Sequence, residues 1–370
     1  MKNQHLFTRL AIAMLLLLSA MTGLGASSHA LAQAADCATG ATGGAASPEA
    51  SPSPGGATGG ASPAAMAGIN MAFVPKDIVN NYFAASFKGA QEAATETGGT
   101  VQQVGPDTPD AAGQVQFIQT LTQQGVQAIA TSANDPNALA PALKDARAKG
   151  IKVVSYDSDV AQDARDIFVN TANSEDIGRI QIQIISRLIG CSGEIAILSA
   201  ASTATNQNTW IDFMKDELTK PGYENVKLVE TVYGDDKPQL SYDKTVELLT
   251  AYPDLKGIVS PTTVGLAAAA SALEAEGRTD VQLTGLGLPN EMRQYIKSGT
   301  VKEMALWNPI DMYYLTYYAA AALVSGEITG AEGDTFTAGH LGQYTVGANG
   351  VVLLGKPFIF TADNIDQFDF

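Results

Sequence analysis

Two aspartates one residue apart, Asp157 and Asp159, close the stretch IKVVSYDSD at positions 151–159, where an apolar run empties into acids around a serine. If the strand stays extended that far, residues two apart share a face and both carboxylates reach one site. Such a pair can split its pKa values for general acid and base work. It can also orient a polyol, because one carboxylate accepts hydrogen bonds from two hydroxyls. Binding fits better, since catalysis would want a further acid or base from another strand and no motif marks one. The structural alternative is that one of the two only caps the next turn. Asp157 is the preferred contact.

Other polar clusters also follow apolar runs. Lys76 follows AFVP, Asn206 and Gln207 lie in STATNQNTW after IAILSA, and Pro261, Thr262 and Thr263 follow KGIVS. VQAIATS likewise runs into ANDP, and EMALW into NPID. Side-chain amides both donate and accept, which suits neutral hydroxyls. Thr205, Asn206, Gln207 and Asn208 can equally cap a helix expected to begin near Trp210. Lys76 alone would read as an ordinary surface lysine. Trp307 and Tyr82 or Phe83 are candidates to stack on a sugar face, with core packing as the competing use.

Several chemistries are disfavoured. The 370 residues carry 22 basic against 38 acidic side chains, a formal charge of −16, so neither nucleic acid nor anionic lipid would be attracted. Of three histidines, His5 and His29 fall in a segment expected to be removed, and His340 sits in the Gly-rich AGHLGQ, which reads as a surface loop. A single remaining histidine argues against His-based triads and imidazole metal sites. The two cysteines, Cys37 and Cys191, argue against a disulfide framework and a thiolate metal site. GLGLPN at 285–290 lacks the third glycine of a dinucleotide fingerprint, and no GxxxxGK[ST], HExxH or GxSxG occurs. No cofactor is expected.

The elements that would position these residues alternate. Residues 1–36 carry Lys2 and Arg9, then an apolar run, then small residues, the order of a secretory signal. Residues 37–68 are almost entirely small residues and proline and read as a flexible tether. A cysteine heading a tether suggests a lipid anchor at Cys37; Asp36, where such signals carry a small uncharged residue, favours simple secretion instead. From Ile69, INMAFV, VQQV, VQAIATS and IKVVSY read as buried parallel strands separated by helical spacings. A second series, with strands EIAILSA, VKLVET, LKGIVS and VQLTGLG, follows from about Asn173, and MYYLTYYAAAALVSG reads as a buried helix. Two α/β series of similar length predict two similar domains, with the chain crossing back between them late.

On FVPK, GPDTPDAAGQVQFI, VSYDSD, TNQNTW, SPTTVG, GTVKEMALWNP and the terminal NGVVLL and DNIDQFDF, the chain resembles the periplasmic sugar-binding proteins of bacterial ABC importers. The resemblance is to the ribose-binding-like class and covers nearly all of 69–370. It looks closest to the rhamnose-binding and autoinducer-2-binding branch. It implies a type I periplasmic binding protein, with two doubly wound parallel-sheet domains joined by a three-stranded hinge. The implied domains are 69–171 with 308–343, and 172–307 with 344–370. It implies no catalysis and no metal, and a monomer in the periplasm or on the outer face of the cell membrane. Its partners would be a sugar, an ABC permease and, as a further role, a membrane sensor. Autoinducer-2 receptors hold ligand by a lysine, the first aspartate of D-S-D, an Asp-Gln pair, and the proline and alanine of P-D-A. Here Lys76, Asp157, Gln207 and Pro261 match, while Asn206 stands for Asp, and Thr262 and Thr263 for Asp and Ala. Rhamnose, or a related deoxysugar or pentose, is therefore the first expectation and autoinducer-2 the second. A glycosidase on a β/α barrel would need a second acid opposite Asp157, and a sugar-responsive repressor would begin with a basic helix-turn-helix.

Overall fold

The computed structural model describes Cys37 and residues 69–370; the expected export signal and the tether beyond Cys37 lie outside the described residues. Strands β1 (Asn70–Val74), β3 (Ala128–Thr131) and β4 (Lys152–Tyr156) are buried almost throughout, as strands covered on both faces must be. Asn80, Asp110 and Asp135 accept backbone N–H bonds at the starts of helices α1 (Asn81–Thr97), α2 (Ala111–Gln124) and α3 (Pro136–Ala148). These side chains satisfy donors that a helix cannot pair internally. With β2 (Thr100–Gln103), β5 (Ile167–Ala172) and the late strand β13 (Val351–Gly355), they form one sheet in the order β13-β5-β4-β3-β1-β2, every neighbour parallel.

The second lobe repeats the plan. Its elements are α4 (Ser174–Leu188), β6 (Gly193–Ser199), α5 (Thr205–Leu218), β7 (Val226–Tyr233), α6 (Pro238–Ala251), β8 (Leu255–Ser260), α7 (Thr263–Ala275), β9 (Gln282–Gly285), α8 (Pro289–Ser298) and β10 (Met304–Leu306). Four strands pair in parallel in the order β7-β6-β8-β9. Strand β14 (Phe358–Phe360) lies antiparallel to β10, which is bridged to the sheet edge through Leu286 and Ala305.

Three links run between the lobes: β5 into α4, β10 into the long helix α9 (Pro309–Ser325), and β13 into β14. They make the three-stranded hinge. Helix α9 is buried from Met312 to Leu323 and returns to the first lobe against α1 and β4. The approach is close enough that a Cβ on Gly89 of α1 would sit 1.9 Å from the Ile310 carbonyl oxygen. Tyr313 of α9 stacks on Phe73 of β1 with centroids 4.6 Å apart.

Two expectations need correction. The boundary expected at 343/344 falls between β13 and β14, because β13 pairs with β5, and the hairpin of β11 (Thr335–Thr337) and β12 (Gln343–Thr345) packs beside α9 and β13. Pairing with β5 satisfies an edge that would otherwise be open. The two cysteines, read as acting separately, form a disulfide between Cys37 and Cys191 across 154 positions. A sulfur committed to that bond cannot also carry a thioether lipid, so Cys37 is a staple in this structure and not an anchor. Cys191, just past the end of α4, adopts a positive φ of 58°.

Candidate functional site

The strand orders decide where a site can form. In the first sheet β2 lies on one side of β1 and β3 on the other; in the second, β7 and β8 flank β6 in the same way. The loops leaving such neighbours part to opposite faces and open a crevice at the strands' carboxyl ends. The crevices of the two lobes face each other. Lys76 follows β1, Ser132 follows β3, Gln207 lies on the helix after β6, and Pro261, Thr262 and Thr263 follow β8.

Between them is a cavity of about 40 Å³, lined by Lys76, Tyr82, Phe83, Asp157, Asn206, Gln207, Pro261, Thr262, Thr263 and Trp307. Ten of the eleven expected ligand contacts are thus brought together. The exception is Asp159. Strand β4 ends at Tyr156, and Asp157 takes a left-handed φ of 58°. The turn breaks the two-residue alternation, so the carboxylates diverge. Asp159 instead holds Arg165, at 2.7 Å to Nε and 2.9 Å to Nη2, and accepts bonds from Ser155 Oγ and the Val160 N–H. Arg165 in turn donates to the Asn349 carbonyl, so the pair fastens the loop ahead of β13.

Asp157 is the hub. Its Oδ2 lies 3.8 Å from Lys76 Nζ and accepts the Ser132 hydroxyl at 2.7 Å; its Oδ1 accepts Asn206 Nδ2 at 3.3 Å. Both ionic side chains are only 6% exposed. A lysine is kept at such depth only with a partner charge, because desolvating it alone costs several kcal/mol. The Asn206 bond crosses from one lobe to the other. Thr203 Oγ1 to the Asn134 carbonyl at 2.9 Å, Ser158 with Thr205 at 3.2 Å, and Asn81 Nδ2 to Glu291 at 2.5 Å also cross, so the lobes are in contact on both sides of the cavity.

The remaining polar groups are constrained. Gln207 Oε1 accepts from Ser199 Oγ and the Ala200 N–H, both at 2.7 Å, which leaves its Nε2 as the group to offer a ligand. Helix α5 begins at Thr205 with Ala204 as N-cap, five residues before the expected start near Trp210. Asn206 and Gln207 therefore sit in the helix's first turn and do not cap it. Trp307 Nε1 donates to Tyr82 OH at 2.9 Å, and the two rings meet edge to face. The Tyr82 hydroxyl in turn donates to Met312 Sδ at 3.6 Å, so both residues present mainly ring surface, with Phe83 beside Tyr82. Burial pushes the Tyr82 hydroxyl well above its usual range, and the Asp157 charge adds to this. It remains a neutral donor at any physiological pH.

Sequence reasoning missed Asn80, Trp210, Asp236, Leu286 and Leu306 in the lining. Asp236 matters most. Burial raises its pKa, against the lowering effect of Lys76 and of the hydroxyl bond donated by Thr262, while Asp77 and Asp157 push it further up. The signal was present in Gly234-Asp235-Asp236, an acid pair leaving β7 as Asp157 leaves β4; both acids have φ of 51°. Away from the cavity, His340 is exposed on its loop, its ring tilted against Tyr314, and its ring and the carboxylates of Glu92 and Glu96 lie within 4.8 Å of one another. Among the described residues no helix is long and apolar enough to cross a membrane.

Comparison with known proteins agrees with this geometry. A family model described as a periplasmic binding protein domain matches residues 71–328. A sugar ABC transporter structure from Actinomyces odontolyticus is 46% identical, with a TM-score of 0.68 over 83% of this chain and 99% of that one. A solute-binding protein from Clostridium phytofermentas, solved with bound L-rhamnose, is 40% identical, with a TM-score of 0.78 over 81% of this chain and 98% of the other. LsrB from Clostridium saccharobutylicum, solved with AI-2, is 28% identical, with a TM-score of 0.77 over 82% and 100%. The chain belongs to the periplasmic binding protein family, and is a solute-binding protein and not an enzyme.

Proposed function

We propose that the chain is the extracytoplasmic sugar-binding component of an ABC importer, and that its ligand is L-rhamnose or a closely related deoxysugar or pentose. The observation that carries the choice of sugar is the Asn206–Asp157 contact between the lobes. An aspartate at 206, as in the autoinducer-2 pattern, would set two carboxylates 3.3 Å apart, whereas an amide donates to Asp157 and, beyond the Gln207 N–H its oxygen already accepts at 2.8 Å, has a second lone pair for a neutral hydroxyl. The 40% identity to the rhamnose-bound protein supports the same reading.

Binding works by exchange of partners. A cavity of about 40 Å³ holds little more than a water's share of volume, so the lobes part to admit a sugar. Lys76, Asp157, Asn206 and the Gln207 amide, which now satisfy one another or stand ready, then hydrogen-bond the hydroxyls, and the Trp307 and Tyr82 rings cover the apolar face. The closed form makes contacts that the open form cannot, so ligand shifts the hinge equilibrium and the permease reads the closed shape.

The test is calorimetric titration of protein stripped of carried-over ligand by unfolding and refolding, against L-rhamnose, ribose, xylose, glucose and autoinducer-2. Saturable heat with L-rhamnose is expected. Autoinducer-2 binding without rhamnose binding would overturn the ligand choice and favour the second reading, for which Lys76, Asp157, Gln207 and Pro261 speak. Silence across the panel would overturn the sugar-binding reading. Scattering should also show compaction on adding a sugar that binds.

A further inference from the structure

We propose that a second cavity beside the sugar site receives the neutral substituent of a glycoside, so that the protein takes such glycosides as well as the free sugar. The inference rests on the sugar-binding reading and extends it.

The second cavity has a volume of about 480 Å³, against about 40 Å³ for the first. That lies within the range of pockets that enclose small organic ligands, roughly 300–1,000 Å³. Asn80 and Asp236 line both cavities, so the two adjoin at these residues. Both are pinned: Asn80 caps α1 by accepting the Tyr82 N–H, and Asp236 accepts the Thr262 hydroxyl. The loop carrying Asp236 is held by Gly234 N to the Ser199 carbonyl at 2.8 Å and Asp235 N to the Ala200 carbonyl at 3.2 Å. Among the described residues the Asp236 side chain accepts only that one hydrogen bond, while a carboxylate has room for about four. Since Asp236 lines both cavities, a ligand hydroxyl that reaches past it from the first to the second can use the spare acceptor sites.

The far wall explains the room. Val264, Ala267, Ala268 and Ser271 recur at helical spacing on α7 and line the cavity with short side chains. The opposite wall comes from the first lobe, at Asp77 and at 107–109, and Asn81 reaches across to Glu291. Four acids, Asp77, Asp107, Asp236 and Glu291, face one lysine, Lys237, in this lining. Like-charge repulsion therefore disfavours a uronic acid or phosphate there, a penalty that a neutral substituent does not meet.

The test compares L-rhamnose with 4-nitrophenyl α-L-rhamnopyranoside by calorimetry on the full protein and on Ala267→Phe and Ser271→Trp. These two positions line only the second cavity, and Ser271 is exposed, so at least one variant should fold, as its melting curve will show. The parent protein is expected to bind the glycoside at least as tightly as the free sugar. Each folded variant should weaken the glycoside tenfold or more and leave L-rhamnose within twofold. Rhamnose binding without glycoside binding, or a variant that weakens both alike or neither, would overturn the second cavity and leave the sugar reading standing. If neither ligand binds, the choice of rhamnose falls and the inference with it.

Discussion

Asn206→Asp is the substitution that probes the cross-lobe contact most directly. It replaces an N–H donor 3.3 Å from Asp157 Oδ1 with an anionic oxygen. Two unit charges at that separation repel by ~5 kcal/mol at an effective dielectric of about 20, and by ~1 kcal/mol in bulk water. Lys76, 3.8 Å from the other Asp157 oxygen, offsets part of this. The penalty arises only when the lobes meet, so it appears as lost affinity and leaves the unfolding midpoint nearly unchanged. Since ~1.4 kcal/mol is tenfold in affinity, at least a tenfold loss of rhamnose binding is expected at pH 7.5. Like charge raises the pKa of one carboxyl of the pair, and once protonated it becomes a donor again. Affinity should therefore recover towards that of the parent as pH falls to 5. Calorimetry of both proteins at the two pH values is the assay. An affinity within twofold of the parent at pH 7.5, or a deficit that widens on acidification, would refute the reasoning.

Two further outcomes follow from the structure. The chain's two tryptophans, Trp210 and Trp307, both line the cavity with centroids 5.8 Å apart, so sugar binding should change intrinsic fluorescence, and Trp307→Phe should diminish the change; a spectrum indifferent to a ligand that calorimetry shows binding would count against this site. The Cys37–Cys191 bond closes a loop of 154 positions, for which chain-entropy reasoning gives about 5 kcal/mol of stabilisation. Thiol titration of the denatured protein should find no free sulfhydryl until reductant is added, and Cys37→Ser should lower the denaturant midpoint; two free thiols in the oxidised protein would dispose of the staple.

Much of the site was legible because parallel α/β sheets place ligand groups at strand ends, and the sequence marks those ends. Lys76, Asp157 and Pro261–Thr263 could be picked out where apolar runs stop, and Asn206 and Gln207 from the amide cluster after IAILSA. Asp159 was misjudged for a local reason: nothing in DSD announces that Asp157 will turn left-handed, and only Arg165, six residues on, shows what Asp159 is for. Asp236 was overlooked because β7 is half-exposed and lacks the buried apolar run whose end marks the other sites, although Gly-Asp-Asp follows it. The start of α5 was placed too late because Thr, Asn and Gln suit a cap by type, while the helix in fact begins among them.

By itself the sequence determined the alternation of strand and helix, the two similar lobes, and the class of ligand chemistry. Those depend on local hydrophobic spacing, on capping residues, and on which side chains follow each buried run. Tertiary structure alone decided that Cys37 meets Cys191, that β13 returns to the first sheet, and that Asn206 and Asp157 from opposite lobes share a hydrogen bond. It also decided that Asn80 and Asp236 line both cavities. Each of these joins residues far apart in the chain, and such pairings are fixed by how packed surfaces fit, for which no local pattern carries a signal.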